Sequence, residues 1–184
     1  MISVLFCDPK GTYSHLPDLD LWGEARDARL YTGDNPVICH PPCERWGGYA
    51  TVGGRALGDD GGCFAYALEA CLQWGGIIEH PAGSRAWDVF CLPKPGRSGW
   101  SKVGSKGRSC LVEQGWYGHR APKPTWIFAV LPHYPDLVWG PSPARGRVES
   151  MCHGEREKTP RQFAELLIGM VKISNQASAW PKAY

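Results

Sequence analysis

The sequence predicts an α/β fold with a mostly parallel sheet and flanking helices, and three observations carry that expectation. Short apolar runs of strand length recur at 2–7, 35–39, 77–79 and 125–130, each bounded by Gly-, Pro- or Asp-bearing loops. Two stretches with helical apolar spacing follow later strands, at 63–74 and 159–173. Reactive residues stand just past strand ends, where open α/β sheets hold their ligands.

Residues 2–7 read as a first strand that runs into Asp8-Pro9-Lys10-Gly11. Residues 19–22 read as a second, and 35–39 as a buried third that His40-Pro41-Pro42 stops, because proline cannot donate to a ladder. A Gly-rich stretch, 47–62, leads to a helix at 63–74 with Phe64, Leu68, Cys71 and Leu72 on one face, closed by Gly75-Gly76. Ile77-Ile78-Glu79 is a further buried strand ending at His80-Pro81, and 125–130 is another. Thr159 as cap and Pro160 at the first position open a last helix, with Phe163, Leu166, Leu167 and Met170 on one face. The expected organisation is one domain over 1–175 with a flexible tail, 176–184.

Composition narrows the function. The 43% hydrophobic content suits a globular core, and no apolar run reaches the roughly 18 residues of a membrane span. No signal-peptide pattern opens the chain, so the eight cysteines are expected as free thiols in a reducing, intracellular setting. A net charge of +2 proves no nucleic-acid partner, but 94–108 holds Lys94, Arg97, Lys102, Lys106 and Arg108, with four glycines and no acid. Such a mobile basic loop suits phosphate contacts; a solvated surface loop is the plain alternative. Among nine tryptophans, Trp46 and Trp87 are candidates to stack on a base, with core packing as the commoner use. Ligand spacing for zinc is absent, as are a zinc-deaminase signature, a Walker loop and a Gly-x-Ser-x-Gly elbow, so no metal is expected.

Two strand ends carry the chemistry. The first offers Cys43 behind Pro41-Pro42; the second offers Glu79 followed by His80-Pro81. If the helix at 63–74 joins two parallel strands, the crossover puts both at one sheet edge. A thiolate adds to an electron-poor carbon, and a carboxylic acid with raised pKa donates to a ring nitrogen.

The segment Pro41-Pro42-Cys43 resembles the catalytic Pro-Cys loop of DNA cytosine-C5 methyltransferases. The Glu79 turn resembles their Glu-Asn-Val turn, with His80-Pro81 in place of Asn-Val. The stretch 117–128, with His119, Arg120 and Lys123, resembles their Gln-x-Arg-x-Arg motif running into a strand, and 159–167 resembles a Thr-Pro-Arg-Glu segment. The matches keep the family's order over 36–170. The resemblance implies a reduced Rossmann-like methyltransferase-type domain acting on cytosine in DNA. Cys43 would add to C6, Glu79 would hydrogen-bond N3, and Arg120 would orient the base or Glu79. Pro42, His80, His119 and Lys123, with the basic loop, would meet substrate or DNA. The family's cofactor is S-adenosylmethionine, for which Asp8 and Glu24 are the candidate contacts. The chain is shorter than the family and lacks its Gly-rich cofactor loop. Thymidylate-synthase-like chemistry on a free pyrimidine nucleotide, and a non-catalytic base- or DNA-binding module, are the other expectations.

Overall fold

The computed structural model describes residues 1–48, 50–51, 54–92, 94–103 and 107–176. The expected tail and Lys106 lie largely or wholly outside them. The strands are β1 (Ile2–Leu5), β2 (Leu19–Trp22), β3 (Val37–Cys39), β4 (Gly76–Pro81), β5 (Ser101–Val103), β6 (Gly107–Glu113) and β7 (Pro124–Val130). They form one sheet in the order β2-β1-β3-β4-β7-β6-β5. The first four run parallel, β7 is antiparallel to β4, and β6 and β5 continue as an antiparallel meander. Five of the seven described strands therefore point the same way, as a mostly parallel, Rossmann-like α/β sheet.

Helix α1 (Cys63–Trp74) joins β3 to β4 and covers one face; α4 (Arg161–Gln176) covers the other. Short helices α2 (Ala86–Val89) and α3 (His153–Glu157) sit in the connections. Asp60 caps α1, its carboxylate accepting the Phe64 N–H (2.9 Å) and the Trp46 indole N–H (2.8 Å). The buried stripe of α1 is Phe64, Ala67, Ala70 and Cys71, while Leu72 is 40% exposed. Phe64 and Cys71 hold the expected face and Leu68 packs at its margin, but Leu72 turns outward and Ala67 and Ala70 take the buried positions. Small residues meet a sheet face already crowded by Ile78, Trp87 and Phe128.

Strand alternation sorts the sheet's side chains. Val4, Ile38, Ile77, Cys110, Val112 and Ile127 pack with α4, whereas Leu5, Val37, Cys39, Ile78 and Phe128 pack with α1. The Thr12 hydroxyl donates to the Thr159 carbonyl (2.5 Å), tying the 3-10 turn Thr12–His15 to the approach of α4. Thr12→Val is expected to cost about 1 kcal/mol, read as a lower urea midpoint at unchanged slope. An unmoved midpoint would show that this bond adds nothing net.

The expected basic loop is partly strand: Ser101–Val103 pairs with Gly107, Arg108 and Ser109. No described helix is long and apolar enough to cross a membrane.

Candidate functional site

Glu79 stands near the carboxyl end of β4, two residues past Ile77, so its side chain falls on the α4 face. The same alternation carries His40 past Ile38, Gln114 past Val112, and Thr125 two residues before Ile127. These side chains meet. Glu79 Oε2 lies 3.0 Å from His40 Nδ1, and Oε1 accepts the Gln114 amide N–H at 3.0 Å. Gln114 also donates to Thr125 Oγ1 (2.9 Å), whose hydroxyl donates to the Lys123 carbonyl (3.1 Å). With the Nδ1 proton directed at Glu79, His40 Nε2 accepts the Tyr13 hydroxyl proton (2.8 Å). The chain Tyr13–His40–Glu79–Gln114–Thr125 thus crosses four strands' ends.

Burial would raise the Glu79 carboxyl, but the hydrogen bond from His40, with the charge of Lys123, outweighs it. Glu79 is held below the ordinary glutamate value. The raised carboxyl expected from the sequence is therefore corrected: a nearly covered carboxylate supplied with donors keeps its charge. Burial, then Glu79, lifts the Tyr13 phenol well above its usual value.

Cys43 follows exposed Pro42 and is itself partly buried. Burial raises its thiol, and the charges of Glu79 and Glu157 push the same way, while Lys123 opposes them. Lys123 sits just before β7 with φ at 45°, in the left-handed region uncommon for a residue with a side chain. Its carbonyl accepts the Gln114 N–H (3.2 Å), and its ammonium donates to the Lys158 carbonyl (3.1 Å). Burial lowers Lys123, against the opposing charges of Glu79, Cys43 and Glu157. Cys43, Glu79 and Lys123 therefore share one electrostatic cluster at the carboxyl edge of the parallel strands. Cys43 and Glu79 lie past or at the carboxyl ends of the parallel neighbours β3 and β4, on the edge that the β3–α1–β4 crossover gives them in common.

Other candidates are placed elsewhere. Arg120, expected beside Glu79, is exposed and pairs with Glu155 (2.8 Å); the cation acting on Glu79 from that segment is Lys123. His119 is buried, with the Ala121 N–H donating to its Nδ1 (3.1 Å), so it shapes its own turn and presents little to a ligand. His80 is 1% exposed and also has no face for substrate. Its position past Ile78 turns it to the α1 side, against Phe64 and Trp87. The Ser84 hydroxyl, which itself accepts the Ala86 N–H, donates to Nδ1 (2.7 Å), leaving Nε2–H toward the Pro41 and Pro42 carbonyls without a close hydrogen bond. His80 thereby buttresses the loop that presents Cys43. Trp46 and Trp87 are core, their indole N–H groups bound to Asp60 and Ser109.

The basic residues do not gather at this edge. Arg108 pairs with Ala129, in the row of Ile77, two residues toward the amino side of Glu79. Lys102 lies one strand further out, about 14 Å sideways from β4 by strand spacing. Arg108 stacks on Tyr134, Lys94 pairs with Asp88 (2.9 Å), and Arg97 is exposed.

Asp8 and Glu24 are both exposed at the carboxyl edge of β1 and β2. Asp8 Oδ1 accepts the Lys10 N–H (2.9 Å), folding the loop on itself. The Pro9 ring fills the space over Gly23, where a Cβ would meet it at 2.7 Å. That glycine makes room for Pro9. These residues do not form the Gly-lined cradle that S-adenosylmethionine requires in the resembled family. His40, Gln114 and Tyr13 were not among the expected site residues; strand alternation was the available signal for His40 and Gln114, and none marked Tyr13, which reaches His40 from the 3-10 turn. No protein-family model matches the chain, and no curated protein matches it.

Proposed function

We propose that the protein is a pyrimidine C5-modifying enzyme in which Cys43 adds to ring carbon C6. The observation that carries this reading is the cluster of Cys43, Glu79 and Lys123 at one sheet edge. The Cys43 proton passes to solvent, Sγ bonds to C6, and the C5=C6 electron pair moves onto C5 and into the C4 double bond, to O4 of a uracil-type ring or N3 of a cytosine-type one. Glu79 meets the N3 side of the ring, and Lys123 offsets the negative charge that develops. C5 then attacks a carbon electrophile, whose leaving group or carbonyl oxygen takes the displaced pair; loss of the C5 proton restores the double bond and expels the thiolate. The resemblance points to DNA as the carrier of that ring, with exposed Arg97 and Lys102, away from the site, to meet phosphates beyond the reacting nucleotide.

The test uses an oligonucleotide carrying 2-pyrimidinone, whose C6 takes a thiol without any donor. A protein–oligonucleotide adduct is expected by mass, and Cys43→Ser should abolish it. An adduct that persists in Cys43→Ser sinks the assignment. A second reading, a non-catalytic pyrimidine-binding module, draws on the Pro9-filled loop. Salt-dependent binding of the oligonucleotide without any adduct would select it.

A further inference from the structure

We infer that Glu79 selects a 4-oxo-pyrimidine, a ring of the uracil type, by accepting its N3–H. This rests on the pyrimidine-directed reading of Cys43 and names the ring for it. Both Glu79 oxygens already face fixed donors, His40 Nδ1 and Gln114 Nε2, each at 3.0 Å. The Gln114 amide is oriented by Thr125: that hydroxyl's proton goes to the Lys123 carbonyl, so its oxygen takes Nε2–H. A reversed amide would set Oε1 against both Thr125 and the carboxylate. Glu79 is thus built as an acceptor, with lone pairs to offer and no proton to give.

The two pyrimidine types differ at this position. A uracil ring carries N3–H, which a carboxylate accepts; a cytosine ring carries a lone pair at N3, and two acceptors would face each other. The neighbouring cation completes the match. When Sγ bonds to C6 of a uracil ring, the displaced pair spreads from C5 to O4 as an enolate. Lys123 precedes β7 at the edge where Thr125 pairs with Pro81, next to the end of β4 that carries Glu79, and is the cation placed to supply the positive charge that enolate needs.

Exchange of the C5 hydrogen reads the addition step without any donor. Sγ adds to C6, solvent deuterium adds at C5, and loss of the original proton with expulsion of the thiolate leaves the ring labelled. The protein is incubated in D2O with oligonucleotides containing deoxyuridine or deoxycytidine, and with the two free nucleotide monophosphates. Exchange on the uracil ring is expected to be at least about tenfold faster than on cytosine, and absent in Cys43→Ser. In Glu79→Gln, whose amide has a proton to donate, the preference should narrow or reverse. Cys43-dependent exchange that is equal on both rings, or faster on cytosine, overturns the inference while leaving the pyrimidine reading intact. An unchanged preference in a folded Glu79→Gln protein overturns it too. No exchange on either ring removes the pyrimidine reading itself.

Discussion

Gly76→Ala is expected to destabilise the protein by about 4 kcal/mol, a loss large enough to threaten folding at physiological temperature. Gly76 opens β4 with φ at 128°, a backbone region that residues with a Cβ rarely adopt. An added Cβ would lie 1.9 Å from the Val37 carbonyl oxygen and 2.7 Å from its nitrogen. Both are backbone atoms of β3, so no side chain can swing aside. Relief must come from parting β3 and β4, the two strands whose ends present Cys43 and Glu79. Gly75→Ala is the control. Its φ is also positive, at 75°, but its nearest neighbour is the Val130 oxygen at 3.3 Å, so a cost of about 1 kcal/mol follows from backbone strain alone. Urea denaturation of both variants separates the two causes. Equal losses would show that the β3–β4 contact yields more readily than its geometry implies. A folded remnant of Gly76→Ala should also form less 2-pyrimidinone adduct, because its two reactive residues no longer share a register.

Acid is expected to weaken the fold through His80 by about 3 kcal/mol, well before most carboxylates titrate. Burial drives the His80 imidazole from 6.5 to about 4, despite the opposing charge of Glu79. In the folded protein the ring stays neutral, while in the unfolded chain it takes a proton below 6.5. The neutral ring's contribution is complete above pH 6.5 and is lost as pH falls from there to about 4, where the folded ring also charges. The magnitude follows from about 1.4 kcal/mol per tenfold change in proton affinity. Denaturation at pH 7, 5.5 and 4.5 measures the slope. His80→Gln has no titrating ring, and its amide can still accept from Ser84 and donate toward Pro41 and Pro42. Most of the slope above pH 4.5 should vanish in this variant. A wild-type slope retained in full would assign the acid sensitivity to another group.

The local pattern made the frame of the sheet legible. Apolar runs ending in proline or glycine marked β1, β3, β4 and β7, and helical spacing marked α1 and α4. The β5–β6 hairpin was hidden because glycines and lysines give 94–108 the composition of a loop, and only pairing with β7 makes Gly107–Glu113 a strand. One residue of the α1 face departed for a related reason: hydrophobicity favoured Leu72 beside Phe64 and Cys71, but the crowded sheet accepts alanines there.

The sequence by itself determined that Cys43 and Glu79 reach one edge, since a helix between two parallel strands returns the chain to the same end of the sheet. Tertiary structure decided what surrounds them. His40, Gln114 and Thr125 come from distant parts of the chain, and strand order with side-chain alternation links them to Glu79, while Tyr13 reaches His40 from a 3-10 turn and Lys123 adds its charge from the approach to β7. The same order sends Arg120 out to Glu155 and sets Lys123 in its expected place. Charge and hydrogen bonding at a buried carboxylate depend on such neighbours in space, and a linear pattern of residues does not encode them.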